Sequence, residues 1–339
     1  MSSLKDHLNL LTKVDAQKAA NAFRLFRSYH LSRWSKKNLH QGMPLSISIE
    51  PTTSCNLRCP ECPSGLRSFT RPTGKLNPDF YKKIIDQIAD QLVYLTFYFQ
   101  GEPYLHPEFL SMVQYAHQKK IYTSTSTNAH YLTEKKARDT IASGLDRLII
   151  SIDGTDQKTY ASYRMGGNLE KVIEGTKNLL ALKQSMGAST PHVALQFLVV
   201  GPNEHQIPEI HALGKTLGVD EVLLKTAQIY EFENGSPLIP SNPKYARYKK
   251  NREGKYEIKN PLHNQCWKMW QSCVITWDGQ VVPCCFDKDA SHSMGNLNQH
   301  TFKEIWRGER YHQFRSSLLK ARKEIDICKN CTEGTRIWA

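Results

Sequence analysis

Three thiols sit close together near residue 55: Cys55, Cys59 and Cys62, in the run Thr53-Ser54-Cys55-Asn56-Leu57-Arg58-Cys59-Pro60-Glu61-Cys62. Soft thiolates in such a group select iron–sulfur clusters or zinc. Three thiolates on a four-iron cube leave one iron open, and an open iron can hold a second molecule and pass it an electron. A closed zinc loop or a fully ligated cluster needs a fourth local ligand. None follows before His106, because no Cys or His lies between Cys62 and that residue.

The CxxxCxxC spacing resembles the signature of the radical S-adenosylmethionine (radical SAM) enzymes. The flanks resemble theirs too. Leu45–Glu50 reads as a buried strand ahead of the cysteine loop, and a helix-like stretch begins near Pro78. Glu61 stands where the family often has an aromatic residue. The resemblance implies a [4Fe–4S] cluster on Cys55, Cys59 and Cys62, with SAM on its open iron.

The elements that must position this loop form a regular series. Strand-like runs fall at Leu45–Glu50, Tyr94–Phe99, Tyr122–Thr127, Arg147–Ile152, Val193–Val200 and Glu221–Lys225. Helix-like stretches near 78–91, 107–119, 133–143, 169–185 and 206–217 separate them. Such alternation implies parallel strands with right-handed crossovers. Six units fit the α/β fold that the resemblance implies, a partial (β/α)6 TIM-like barrel over 45–226. Ligands in such folds gather at the C-terminal ends of strands.

Polar signals follow those ends. Gln100-Gly101-Glu102-Pro103 follows the second run, and Ser126-Thr127-Asn128 the third. Ser151-Ile152-Asp153-Gly154 follows the fourth, with Tyr160, Tyr163 and Arg164 beyond. Turn and N-cap chemistry favours the same residue types. The resemblance implies that Gly101 and Glu102 meet the amino group of SAM, and that Asn128, Ser151 and Asp153 meet its ribose or carboxylate. It assigns no catalytic side chain beyond the cluster.

A second cysteine set lies near the C-terminus. Residues 227–262 look irregular, with Pro237, Pro240, Pro243 and Pro261, and read as a linker to a module at 263–339. Asp278-Gly279 between two apolar runs is a hairpin signal. A helix-like segment from Thr301 to Arg322 precedes Cys328-Lys329-Asn330-Cys331. The spacing of Cys266, Gly279 and Cys284 resembles the opening of the SPASM and twitch extensions of radical SAM enzymes. The resemblance implies an auxiliary [4Fe–4S] cluster of the twitch type on Cys266, Cys284, Cys328 and Cys331. A Cys₄ zinc site is the alternative on residue types alone. Cys273 and Cys285 are left over, and Cys273 in place of Cys266 stays open.

Composition bounds the rest. The 339 residues are 40% hydrophobic and 23% charged, ordinary for a soluble protein, and no stretch approaches a membrane span. The N-terminus lacks a secretory layout, and nine cysteines in such a chain read as metal ligands, so a cytoplasmic protein is expected. The net charge is +13. It concentrates at 23–37 and 244–259, where a solvated face is the default and no nucleic-acid motif is visible. Residues 1–44 read as an amphipathic basic helical segment. Ala19, Ala20, Phe23, Phe26 and Leu31 would pack on the barrel, or else meet a membrane surface or a partner.

The resemblance implies the chemistry. SAM is cleaved reductively to a 5′-deoxyadenosyl radical, which abstracts hydrogen from a substrate. A thiolate-saturated auxiliary cluster suits a net oxidation, making the protein an oxidoreductase fed by a donor such as flavodoxin or ferredoxin. The substrate is unidentified, a small molecule or a peptide. Peptide modification of the RiPP type and RNA modification are alternatives; a non-catalytic iron–sulfur or zinc scaffold is the reading from another class. Sulfatase-maturing relatives carry Asp where Cys285 stands, which argues against that activity.

Overall fold

The computed structural model describes residues 2–332. Two helices, α1 (Ser2–Thr12) and α2 (Ala16–Ser35), precede the first strand, β1 (Ser46–Ile49). The chain then passes through α3 (Pro63–Leu66), α4 (Pro78–Ile88), β2 (Tyr94–Thr96), α5 (Phe109–Gln118), β3 (Tyr122–Thr127), α6 (Glu134–Ala142) and β4 (Arg147–Ser151). Helices α7 (Gln157–Tyr163) and α8 (Leu169–Ser185), β5 (His192–Val199), α9 (Ile207–Leu217) and β6 (Glu221–Thr226) complete the series. All six strands run parallel, in sequence order.

Side-chain alternation gives this sheet two unlike faces. Ile47, Leu95, Leu148 and Leu195 are buried beneath the helices. The register places Ser48, Thr96 and Ser124 in one row of the other face, and Ser151 with Gln196 in a second. The inner face is therefore polar, as a sheet wrapped around a reaction cavity requires. Side-chain caps fix where helices begin. Asn77 accepts from the backbone N–H groups of Asp79 and Phe80 at 2.9 and 3.0 Å, and Thr133 and Asn168 cap α6 and α8 in the same way.

Three features depart from the sequence reading. Residues 227–262 are not wholly irregular: β7 (Tyr248–Lys250) and β8 (Tyr256–Ile258) pair antiparallel, and Tyr248 packs face to face on Phe232 at 4.4 Å. The exposed Lys249 and Lys250 of the second basic run lie on this hairpin. After α10 (Trp267–Gln271), the expected hairpin forms as β9 (Ser272–Ile275) and β10 (Gln280–Val282), with β11 (Gly295–Asn296) beyond. Yet β9 also pairs parallel with β1, Ser46 beside Ser272, so this hairpin continues the main sheet. Finally, the helix expected from Thr301 divides at Gly308 into α11 (Phe302–Arg307) and α12 (Glu309–Ala321). Gly308 is extended there, at φ −70° and ψ 167°, and ends one helix while starting the next. The short α13 (Asp326–Lys329) follows.

The N-terminal helices are bolted to the sheet by polar groups. On α1, Asp6 pairs with Arg147 at 2.5 Å, Asn9 donates to Asp146 at 2.8 Å and Lys13 reaches Asp146 at 3.2 Å. On α2, Leu25 and Tyr29 are buried together with Lys18, Asn21, Ser28 and Ser32. The expected packing face was the wrong one: Phe23, Phe26 and Leu31 are 67%, 42% and 40% exposed. The underside of α2 is filled instead by polar groups bonded to backbone, such as Asn21, which donates to Met43 O and accepts from Met43 N, both at 2.8 Å.

Candidate active site and cysteine sites

The loop after β1 carries the three cysteines, with Cys59 buried and Cys55 and Cys62 half-buried. Two glycines let this loop fold tightly. A Cβ on Gly65 would lie 2.6 Å from the Cys59 backbone N. Gly101, at φ +76°, would place a Cβ 2.1 Å from the Thr52 carbonyl oxygen, so only glycine fits. Gly101 N donates to Ser64 Oγ at 2.8 Å, and Glu102 N donates to Ser54 O at 2.8 Å. The turn after β2 and the cysteine loop are thus stitched together through their backbones.

Cys55, Cys59 and Cys62 line one cavity with Gly101, Glu102 and Asn128. Ser151 lines it as well. The Glu102 carboxylate is 2% exposed. It accepts from Thr127 Oγ1 at 2.7 Å, Asn128 N at 2.8 Å and Tyr104 N at 3.2 Å. Burial pushes its pKa up while these bonds oppose the shift. Asn128 Nδ2 donates to Asn56 Oδ1 at 2.8 Å and approaches Cys55 Sγ at 3.9 Å. Ser151 Oγ lies 3.2 Å from Ser126 Oγ.

Asp153 is placed differently. It is fully buried, takes the backbone N–H of Leu198 at 2.7 Å and pairs with Arg164 Nε at 2.5 Å. Arg164 is the residue that lines the cavity, with Nη1 3.9 Å from Cys59 Sγ. Asp153 therefore stands behind Arg164 and orients it. Ser126, Thr127 and Tyr163, named in the sequence among the polar signals, also line the cavity, as do Tyr98 and Leu198, which were not. Their signal was positional, since each sits at or just past the C-terminal end of a strand or on the helix that follows. All this surrounds the thiols with little water: burial pushes Cys55 up to about 11 and raises Cys59, with the Arg164 cation opposing the latter.

The four thiols of the second set lie within electrostatic reach of one another. Cys266, Cys328 and Cys331 are buried and Cys284 is half-buried. Burial raises the Cys266, Cys328 and Cys331 thiols, and the Arg322 guanidinium counters it at each. Arg322 Nη2 lies 3.4 Å from Cys331 Sγ, and Cys284 feels both Cys331 and Cys266. Cys273 stands apart. It lies beside Tyr311, feels the Arg315 charge, is 2% exposed, and is pushed up to about 12 by burial. It is a packed core thiol, and its placement separates it from the other four.

Cys285 is exposed, and its hydrogen bond to Cys284 pulls its pKa down, with Lys268, Lys288 and Lys225 adding to the effect. Lys225 sits in register beside Leu198, a wall of the cavity, so it faces the interior of the sheet. It is open to water yet hemmed in by protein, and burial followed by the neighbouring Lys268 lowers its pKa. Lys288 donates to Tyr230 OH at 2.7 Å and feels both Cys62 and Cys285. Its charge is thus felt by Cys62 of the first set and by Cys285, the neighbour of Cys284.

Residues 49–213 match the Radical SAM superfamily, and residues 266–332 match the SPASM iron-sulfur cluster-binding domain. The chain belongs to the radical SAM superfamily and carries a C-terminal SPASM domain. SAM and a [4Fe–4S] cluster are therefore its cofactors, with auxiliary iron–sulfur binding in the SPASM domain. It is 27% identical over 312 residues to the tungsten-containing aldehyde ferredoxin oxidoreductase cofactor-modifying protein of Pyrococcus furiosus, covering 79% of this chain and 82% of that one. It is 25% identical over 316 residues to the PqqA peptide cyclase of Gluconobacter oxydans, covering 87% and 84%. Its fold resembles Streptococcus suis SuiB bound to S-adenosylmethionine, with a TM-score of 0.64 and 16% identity over 89% of this chain and 75% of that one. No described helix is long and apolar enough to cross a membrane.

Proposed function

We propose that this radical SAM enzyme oxidises or otherwise modifies an anionic substrate seated between its two cysteine sets. We divide it into an N-terminal segment (1–44), a core (45–226), a linker (227–262) and an auxiliary module (263–339). Cys55, Cys59 and Cys62 are suited to hold the SAM-binding cluster, and the tight Gly101 turn leaves its cavity open to a ligand. When bound, that cluster and SAM supply a carbon-centred radical able to remove a hydrogen atom from the substrate. Glu102 and Asn128 fix the wall where the methionine end of SAM would lie, and Ser151 offers a hydroxyl to the nucleoside end. Arg164, held by Asp153, keeps a positive charge beside Cys59.

Cys266, Cys284, Cys328 and Cys331 suit one fully ligated auxiliary cluster, whose natural use is electron transfer. A flavodoxin- or ferredoxin-like donor would supply the reducing electron. The substrate class rests on three cations near the cysteine sets: Lys225 faces the inside of the sheet beside Leu198, Lys288 bonds Tyr230, and Lys268 lies on the helix that begins just after Cys266. A carboxylate or phosphate would be steered there and held. A peptide with an acidic side chain is the second reading, favoured by the similarity to PqqA peptide cyclase.

Metabolite profiling of a deletion strain tests this reading. The accumulated compound should bear a carboxylate or phosphate. With the reconstituted enzyme it should yield 5′-deoxyadenosine and oxidised product in equal amounts. A neutral substrate would remove the anionic claim. Normal turnover by folded Cys328→Ala and Cys331→Ala variants would take the auxiliary site out of the electron path.

A further inference from the structure

Exposed large apolar side chains are concentrated in the N-terminal segment. Leu4, Leu8 and Leu11 recur at helical spacing on α1 and are 62%, 53% and 63% exposed. On α2, Phe23, Phe26, Leu31 and Trp34 share the solvent face, and Trp34 is 86% exposed. At 100° per residue, Phe23 and Trp34 fall within about 20° of each other, with Arg24 and Arg33 on either flank. This reverses the ordinary arrangement of a packed helix, whose apolar stripe faces the core. The underside of α2 already holds Lys18, Asn21, Ser28 and Ser32 in bonded positions, so rotating the helix cannot bury the aromatic face.

Charge and a neighbouring cleft say what the face meets. No Asp or Glu occurs from Ala16 to Ile49, while Arg24, Arg27, Arg33, Lys36 and Lys37 are all exposed. Arg24 also lines a cleft of about 750 Å³ beside α2, closed on its other side by Lys303, Arg307, His312 and Arg315. No acidic residue lines this cleft among the described residues. Arg315 is 2% exposed, and its Nη2 has no hydrogen-bond partner among the described residues. An apolar aromatic face beside an acid-free basic cleft matches an anionic phospholipid surface, where rings enter the acyl boundary and phosphates meet the cations. A second copy of the same basic face would repel it.

We propose that α2 and its adjoining basic cleft dock this protein on anionic membranes as a peripheral protein. The test is co-sedimentation of the reconstituted full chain with vesicles of phosphatidylcholine alone or mixed with phosphatidylglycerol. Binding is expected to the mixed vesicles, to weaken at high salt, and to fall at least about tenfold in a Phe23→Ser/Trp34→Ser variant. An Arg24→Glu/Arg307→Glu variant should lose the preference for phosphatidylglycerol while keeping wild-type SAM cleavage. Absence of sedimentation with either vesicle overturns the proposal. So does equal binding to both, or a dimer by light scattering that Phe23→Ser/Trp34→Ser disrupts without any vesicle binding.

Discussion

Arg71 grips Glu50 with both terminal nitrogens, at 2.8 and 2.6 Å, across the whole cysteine loop. Glu50 directly follows the first strand and is fully buried; Arg71 lies beyond Cys62 and is 8% exposed. Arg71 Nε also donates to Lys288 O at 3.0 Å, and its backbone N–H to Asp289 at 3.2 Å. Trp277 N donates to Glu50 Oε2 at 3.3 Å. One buried ion pair thus ties the first cysteine loop to the segment that follows Cys284.

Removing Arg71 strands a buried carboxylate. Arg71→Ala should destabilise the protein by about 3–5 kcal/mol, the usual cost of breaking a buried pair from one side. Chemical denaturation under anaerobic conditions reads this directly. A loss under about 1 kcal/mol would mean that Glu50 is satisfied without its partner.

Gly101 makes a sharper test of the loop. Gly101→Ala would drive a methyl against the Thr52 carbonyl in a backbone region that costs non-glycine residues about 1–3 kcal/mol. The variant should fold but retain less iron on the first cysteine set. Full iron retention would show that this turn tolerates a side chain.

Glu102→Gln isolates a charge. Hydrogen bonds to charged groups contribute about 1.5–3 kcal/mol, so SAM affinity should fall by one to two orders of magnitude. The measurement is equilibrium binding of SAM to the reconstituted variant with its iron intact. Unchanged affinity would assign Glu102 solely to holding Thr127 and Asn128 in place.

Much of this was legible in the sequence because its signals are local. Cysteine spacing, strand–helix alternation and the polar residues after strands all lie within short windows. The strands Tyr122–Thr127 and Arg147–Ser151 and the helix Leu169–Ser185 fall where periodicity places them. What was hidden depends on long-range pairing. Nothing local announces that Ser272 lies beside Ser46, or that Arg71 reaches Glu50 and Lys288. The placement of Asp153 behind Arg164 was likewise invisible, because a turn aspartate reads the same whether it meets a ligand or a guanidinium. The α2 face was misjudged because apolar periodicity marks a stripe but not what covers it.

Two separate iron–sulfur sites are the centre of this account, and iron per chain measures them directly. After anaerobic reconstitution the protein should hold about eight irons, two cubes of four. Replacing Cys55, Cys59 and Cys62 by Ala should leave about four, and replacing Cys328 and Cys331 should remove the complementary share. About four irons with one zinc in the intact protein, the zinc lost on replacing Cys328 and Cys331, would contradict it.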